Sequence, residues 1–493
     1  MPNAGKTTAA QAGRPPFVQS GEAVRIRLPL VVDLDGTLIH SDLIWEALVL
    51  FFKTQFFNVW RLPLWLFKGK AAFKRRLADA VTLDAAALPY DRALVSHIAA
   101  EREQGRTVVL ATGSDHRFAI KVAQHLKLFD HVVATEADVN MTSTNKGSAL
   151  VKLYGEYGFD YVGNAHADLA VWQRCRHAFS VTAKPFHLAD GRITGKLGDI
   201  RKGWGAALII AMRPRQWLKN LLVFVPMLAG HAINQATVLQ SVVTFVAFSL
   251  CASSAYLLND ALDAQDDRVH QTKRHRPIAA GTLPLPVAMC SSLLLAVSAL
   301  GLSTVFDPLL LLVVAIYFTT TVTYSMFLKR LLMVDIVTLS ILYSLRILGG
   351  CASTHIAPSF WLLTFSFFLF LSLALLKRHS ELFNLQSQGH EKTHGRGYTT
   401  ADKAPVGIMG INAAFMSVVI FMLYIDSANV HLMYAQPAWL AGIMPLLVFW
   451  LGRLWTLSFR GKVNEDPVLY VSKDPLSLSV FAVCLALAVA ASL

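Results

Sequence analysis

Two hydrophobic patterns divide this chain. Up to about residue 200, short apolar runs alternate with stretches of helical period. Residues 26–38 read as a strand ending in Asp33-x-Asp35-Gly36-Thr37, and further strand signals fall at 107–113, 131–135, 160–164 and 178–183. Helical stretches between strands predict a parallel sheet with crossover helices. Beyond about residue 215 the runs lengthen, to 217–233, 236–258, 285–304, 308–327, 332–351, 359–376, 405–425, 437–457 and 476–492. Nine such runs predict an all-α membrane bundle of about nine helices. The expected division is a disordered N-terminus at 1–25, an α/β domain at 26–190, a linker at 191–212 and a transmembrane domain at 213–493.

Composition supports a membrane protein: 54% hydrophobic and 16% charged residues, with a mean hydropathy of +0.46. The formal net charge is +13. Lys and Arg cluster before the first run, at 268–276, at Lys329–Arg330, at 377–403 and at 453–473, while the alternate connections carry none. That asymmetry is the topology signal of cytoplasmic loops, not a nucleic-acid footprint. It predicts a multi-pass inner (plasma) membrane protein with a cytoplasmic N-terminal domain and cytoplasmic active sites. The cysteines show no metal or disulfide spacing, and Cys251, Cys290, Cys351 and Cys484 sit in apolar runs as packing residues. Gly5–Thr8 reads GKTT but lacks the strand and first glycine of a phosphate loop.

The end of the second run carries the densest chemistry. Asn259, Asp260, Asp263 and Asp267 give N-D-x-x-D-x-x-x-D, and on one continuous helix the three carboxylates would share an arc of roughly 60°. Each charge at membrane depth costs about 2.5–3.5 kcal/mol, so compensation is required. Mg²⁺ shared with substrate phosphates is a usual partner of such carboxylates. Lys273, Arg274, His275 and Arg276 follow at once as cations for anionic oxygens. Arg346 lies inside the fifth run, within about 20° of Asp335 on a helix, and is expected to face that side as a phosphate or carboxylate partner.

The N-terminal half resembles the haloacid dehalogenase (HAD) superfamily of phosphohydrolases over about residues 28–190. Asp33-x-Asp35-Gly36-Thr37 matches its first motif, Thr112 its second and Lys146 its third, while the fourth reads GNAHAD, with Asn164 where an acid is expected and Asp168 retained. The resemblance implies a Rossmann-like parallel sheet with a helical cap, here about 42–100. It also implies Asp33 as nucleophile, Asp35 as general acid/base, Thr112 and Lys146 as phosphate holders, and Asp33, Asp35 and Asp168 as Mg²⁺ ligands. The neutral Asn164 would weaken that metal site, leaving either an active phosphatase or a domain kept for binding. Within the cap, residues 51–77 interleave aromatic residues with Lys and Arg. They read as a helix lying on a membrane surface or as a cap helix packed on its own core.

The second half resembles the UbiA superfamily of intramembrane prenyltransferases. Its first signature is the Asn259–Asp267 pattern. In place of a second multi-Asp motif stand Tyr324-Ser325-x-x-Leu328-Lys329 and Asp335, with RPRQWLKN at 213–220, KRHSEL at 377–382 and GRGY at 395–398. These are similar to the branch that makes 5-phosphoribosyl-1-phosphoryl lipids from phosphoribosyl pyrophosphate and polyprenyl phosphate. The resemblance implies Mg²⁺ on Asp260, Asp263 and Asp267, with Asp335 facing them. It offers Lys219, Asn259, Lys273, Arg274, Arg276, Tyr324, Lys329, Arg346, Lys377 and Arg378 for substrate. The alternative is prenyl transfer from a polyprenyl diphosphate to an aromatic acceptor.

Overall fold

The computed structural model describes residues 27–136, 140–201, 203–389, 396–463 and 466–493. The expectations for residues 1–25, including Gly5–Thr8, and for Gly395 of the GRGY stretch lie outside the described residues.

Six parallel strands form the N-terminal sheet: β1 Leu30–Val32, β2 Val108–Asp115, β3 His131–Thr135, β4 Asp160–Gly163, β5 Ala178–Thr182 and β6 Gly195–Arg201, in the order β3-β2-β1-β4-β5-β6. Central strands covered on both faces read as unbroken apolar runs. Leu30, Val32 and Leu110 accordingly enter one core, and Val31, Val109 and Tyr161 the other. Strand β6 corrects the expected linker at 191–212. Its glycines and charges hide it from a hydrophobic reading, as befits an edge strand. Residues Gly205–Met212 of that stretch are helical.

Helices α1 (Leu43–Thr54), α2 (Arg61–Leu66) and α3 (Lys70–Ala80) build the cap, followed by α4 (Arg92–Glu103), α5 (His116–Leu126) and α6 (Thr144–Tyr154). Asp42 caps α1, accepting from the backbone N–H groups of Ile44 and Trp45. The α2 region answers to both readings of the cap. Val59, Leu62 and Trp65 pack on the domain core, whereas Phe57, Trp60 and Phe67 remain exposed.

Among the described residues, eight helices are long and apolar enough to span a membrane: Gln235–Leu262, Leu285–Phe306, Pro308–Met326, Val334–Thr354, Phe360–Ser387, Thr400–Ile425, Ala438–Phe459 and Pro475–Ser492. The ninth expected run is not a regular span. It is a 3₁₀ stretch, Pro214–Phe224, followed by the short helix Val225–Ala229, with prolines opening both pieces. It nevertheless runs antiparallel along the C-terminal half of the first span. Arg213 meets Asp260, Trp217 donates to Ser253 Oγ (2.9 Å) and Asn220 donates to Ser249 Oγ (3.0 Å), an antiparallel descent.

Irregular backbone at membrane depth is tolerated only where protein satisfies it. Arg346 belongs to that support. Its guanidinium donates to Asn220 Oδ1 (2.8 Å), Tyr317 Oη (2.8 Å) and the Leu342 carbonyl. Arg346 is expected to face the Asp335 side as a phosphate or carboxylate partner, but here its guanidinium is taken up by these neutral acceptors. Asp335 is fully buried against Arg378 (2.6 Å) and Tyr398 (2.6 Å) instead. Helical angle alone did not register the neutral Asn220, which lies closer to Arg346.

Asn220→Leu leaves a buried guanidinium without that acceptor and should cost about 2–3 kcal/mol. Thermal unfolding in detergent should show a lowered midpoint for Asn220→Leu and near-parental stability for Asn220→Asp, which keeps the acceptor.

Candidate functional site

The first cluster sits at the carboxyl ends of β1, β2 and β4, where open parallel sheets place ligands. Asp33 follows β1, Thr112 lies in β2 and Lys146 enters from the first turn of α6. Lys146 Nζ lies 2.7 Å from Asp33 Oδ1 and 3.5 Å from Asp168 Oδ1, and it donates to Tyr161 Oη (2.9 Å). Burial pushes the Asp33 carboxyl up to about 7, the nearby Asp168 and Asp35 adding to the rise and Lys146 opposing it. Lys146 stays protonated, because Asp33 and Asp168 overcome its burial. Gly36 turns the chain after Asp35 at φ +73°, and a Cβ there would lie 2.1 Å from the Asn164 amide, so only glycine fits.

The carboxylates expected to hold Mg²⁺ are engaged here by the chain's own donors. Asp35 accepts from Thr112 (2.9 Å), Ser114 (2.6 Å) and the Leu43 N–H (2.8 Å). Asp168 accepts from Tyr161 and from the backbone N–H groups of Asn164 and Ala165. Asp33 accepts from Thr37 and Lys146. Among the described residues no three His, Cys, Asp or Glu side chains could together hold a metal ion.

The second cluster occupies the mouth of the bundle. The first span ends at Leu262 and a short helix, Ala264–Val269, restarts beyond Asp263. The three aspartates are thus not on one continuous helix, which corrects the shared-face expectation. Asp260 accepts from Arg213 (2.6 and 2.7 Å) and Arg276 (3.1 Å), and Arg276 also meets Asp267 (2.7 Å). Asp263 turns away to Lys329 (2.6 Å), which also reaches Asn259 (3.4 Å). Burial raises the Asp267 carboxyl above its ordinary value against the pull of Arg276. Beside this pair opens a cavity of about 340 Å³, lined by Arg213, Asp260, Thr272, His275 and Arg276 among others.

Asp260 and Asp267, converging on one guanidinium nitrogen, fit Mg²⁺. That ion is commonly held by one or two carboxylates together with substrate phosphates. Asp263 is not part of that pair. Lys273 and Arg274 sit on the adjoining 3₁₀ turn and form no salt bridge among the described residues. Lys219 pairs with Asp466 (2.8 Å), whose carboxyl is held at about 2 because Lys219 and Lys377 outweigh its burial. Tyr324 lies beside Arg378, within the Asp335 network.

Arg213, Asp466, Tyr398 and Asn220 were missed from sequence. Arg213 and Asn220 lie in the 213–220 stretch and Tyr398 in the 395–398 stretch, but the resemblance singles out none of them. Asp466 stands alone in a loop, without a motif.

The two halves meet across α1. Arg268, from the helix beyond Asp263, donates to both oxygens of Glu46 (2.6 and 3.0 Å), and Ser41 donates to Glu46 Oε1 (2.5 Å). Lys53 reaches Asp266 (2.8 Å) and Asp263 (3.5 Å). Trp45, Val49 and Phe52 share a core with Leu257, Ala261 and Leu262. Gly281, at φ +73°, lets the backbone approach His40, where a Cβ would lie only 2.3 Å away.

Eight long apolar helices with a carboxylate–guanidinium cluster at one end define a polytopic membrane bundle. Residues 223–491 match the UbiA prenyltransferase family, and the chain belongs to it. The chain is 34% identical over 463 residues to the protein y4nM of Sinorhizobium fredii, covering 92% of this chain and 88% of that one. That span takes in both halves, so the fusion is shared. It is 33% identical over 273 residues to the nodulation protein NoeC of Azorhizobium caulinodans (54% of this chain, 87% of that one). It is 32% identical over 258 residues to the decaprenyl-phosphate phosphoribosyltransferase of Corynebacterium glutamicum (50% and 75%).

Breaking one side of the buried Glu46–Arg268 pair should cost about 3 kcal/mol or more of interface stability. Glu46→Arg and Arg268→Glu should each raise amide exchange along α1. The double reversal should restore protection if the pair itself holds the halves together.

Proposed function

We propose that the chain transfers 5-phosphoribosyl from phosphoribosyl pyrophosphate to a polyprenyl phosphate. The observation that carries this reading is the Asp260–Asp267 pair set between Arg213 and Arg276 at the rim of the cavity. The named activity of the Corynebacterium relative supports it. A diphosphate with a separate 5-phosphate needs several cations, and Arg213, Arg276, Lys273 and Arg274 supply them. Mg²⁺ held by Asp260 and Asp267 would neutralise charge on the diphosphate.

A lipid phosphate oxygen attacks the anomeric carbon. The bond from that carbon to the diphosphate breaks, and the diphosphate leaves with the electron pair. No protein nucleophile is required. Positive charge growing on the ribose ring is offset by the neighbouring carboxylates. Aromatic prenyl transfer is less well supported, because Asp335 stands alone and is spent on Arg378. The Lys/Arg asymmetry of the loops supports a multi-pass plasma-membrane protein with both sites on the cytoplasmic side.

The N-terminal half then removes the 5-phosphate from the lipid product. In this reading Asp33, beside Lys146, attacks phosphorus and takes the phosphoryl group, Asp35 gives the departing ribose oxygen its proton, and water then frees the phosphate from Asp33. Removal of the phosphate draws a reversible transfer forward.

In membranes given ribose-labelled phosphoribosyl pyrophosphate, Mg²⁺ and polyprenyl phosphate, label should enter the lipid phase. Asp260→Asn should reduce this by about 100-fold or more. Unchanged labelling by folded Asp260→Asn would overturn the proposed site. With Asp33→Asn the lipid should stay labelled but keep its 5-phosphate. Because the Asp33 carboxyl is raised to about 7 and only its ionised form attacks, phosphate release should climb between about pH 6 and pH 8.

A further inference from the structure

The cap carries an apolar surface that neither domain core uses. Phe57, Trp60, Leu64 and Phe67 recur at helical spacing and are 83%, 62%, 51% and 88% exposed. They are not an unburied core face, because Val59, Leu62 and Trp65 of the same stretch already pack inward. Large contiguous apolar patches on a protein surface mark a contact with lipid or another protein.

Charge decides between these. From Ala47 to Ala78 the sequence has no Asp or Glu, yet it carries Lys53, Arg61, Lys68, Lys70, Lys74, Arg75 and Arg76. Lys74 is spent on Gly113 and Asn140, and Lys53 on Asp266, but Arg61, Lys68, Lys70 and Arg75 are exposed. Cations flanking an aromatic face suit an anionic headgroup layer. The patch is also continuous with the bundle. Phe56 packs edge-on against Phe327 at 6.0 Å, one residue beyond the third span, Pro308–Met326.

We propose that the Phe57–Trp60–Leu64–Phe67 face lies in the headgroup layer of an anionic bilayer and holds the cap against the membrane. The Asp33 cluster, beneath the same cap, then lies close to the membrane surface. This inference stands on the exposed face and the charge pattern, and it does not depend on the reactions proposed above.

The natural chain can be tested in nanodiscs of equal parts phosphatidylcholine and phosphatidylglycerol, doped with a phospholipid bearing a diazirine near the top of its acyl chain. Trypsin should release Thr54–Arg61 and Leu62–Lys68, with Leu153–Arg174 on the far side of the sheet as the control. Lipid adducts should be at least about tenfold denser on the two cap peptides than on the control. Hydroxyl-radical footprinting of the same sample should show Phe57 and Phe67 shielded from water. Adducts no denser than on the control, with Phe57 and Phe67 open to water, would overturn the proposal. So would shielding from water without lipid adducts, which would assign the face to a protein partner or a second copy of the chain. Replacing phosphatidylglycerol by phosphatidylcholine should thin the adducts on the cap peptides and leave those on the spans unchanged.

Discussion

A charged group at the mouth of a membrane bundle must be paired, and that constraint organises this molecule. Asp260 is 2% exposed at the end of the first span, where an isolated carboxylate would be costly. Its compensation comes from two directions in the sequence: Arg213 before the first crossing and Arg276 after the aspartate loop. The pairing therefore pins the start of the membrane domain to the loop that follows its first long helix. The same rule recurs deeper, where Arg346 supports the irregular first crossing through Asn220, and where Arg378 and Asp335 close a fully buried pair. Cations so placed are also what a phosphorylated substrate would meet when it displaces these internal partners.

The contact between the halves follows from the same loop. Arg268 lies one residue beyond Asp267, and its partner Glu46 lies on α1, which starts two turns after Asp35. Ser41 and Glu46 therefore tie the loop that follows Asp33 and Asp35 to the aspartate loop through a short chain of hydrogen bonds. Fusion of the two halves holds the Asp33 cluster and the Asp260 cluster to either side of one joint built on α1. That arrangement suits a lipid product passing from one site to the other.

Much of the fold was legible because it rests on hydrophobic period. The apolar runs at 26–38 and 107–113 are legible as strands and settle as Leu30–Val32 and Val108–Asp115, and eight of nine long apolar runs become spans. The misreadings share a cause. Strand β6 has little apolar character, so its place at the sheet edge is decided by pairing with β5. The break at Asp263 separates carboxylates that an ideal helix would align, and Asp263 finds Lys329 and Lys53 on its own side. Arg346 was matched to a charge by helical angle, whereas its acceptors are the neutral Asn220 and Tyr317. Sequence period tells which residues can face a site; hydrogen-bond satisfaction in the folded chain tells which do.

Direct binding tests whether the Arg213–Arg276 cluster at the bundle mouth takes phosphoribosyl pyrophosphate, as proposed above. Isothermal titration of phosphoribosyl pyrophosphate with Mg²⁺ into the full chain in nanodiscs should give saturable binding. Arg276→Gln should lose it, and a prenyl diphosphate should compete poorly. Tight binding of the prenyl diphosphate, with no displacement by phosphoribosyl pyrophosphate, would contradict the account and assign the site to prenyl transfer.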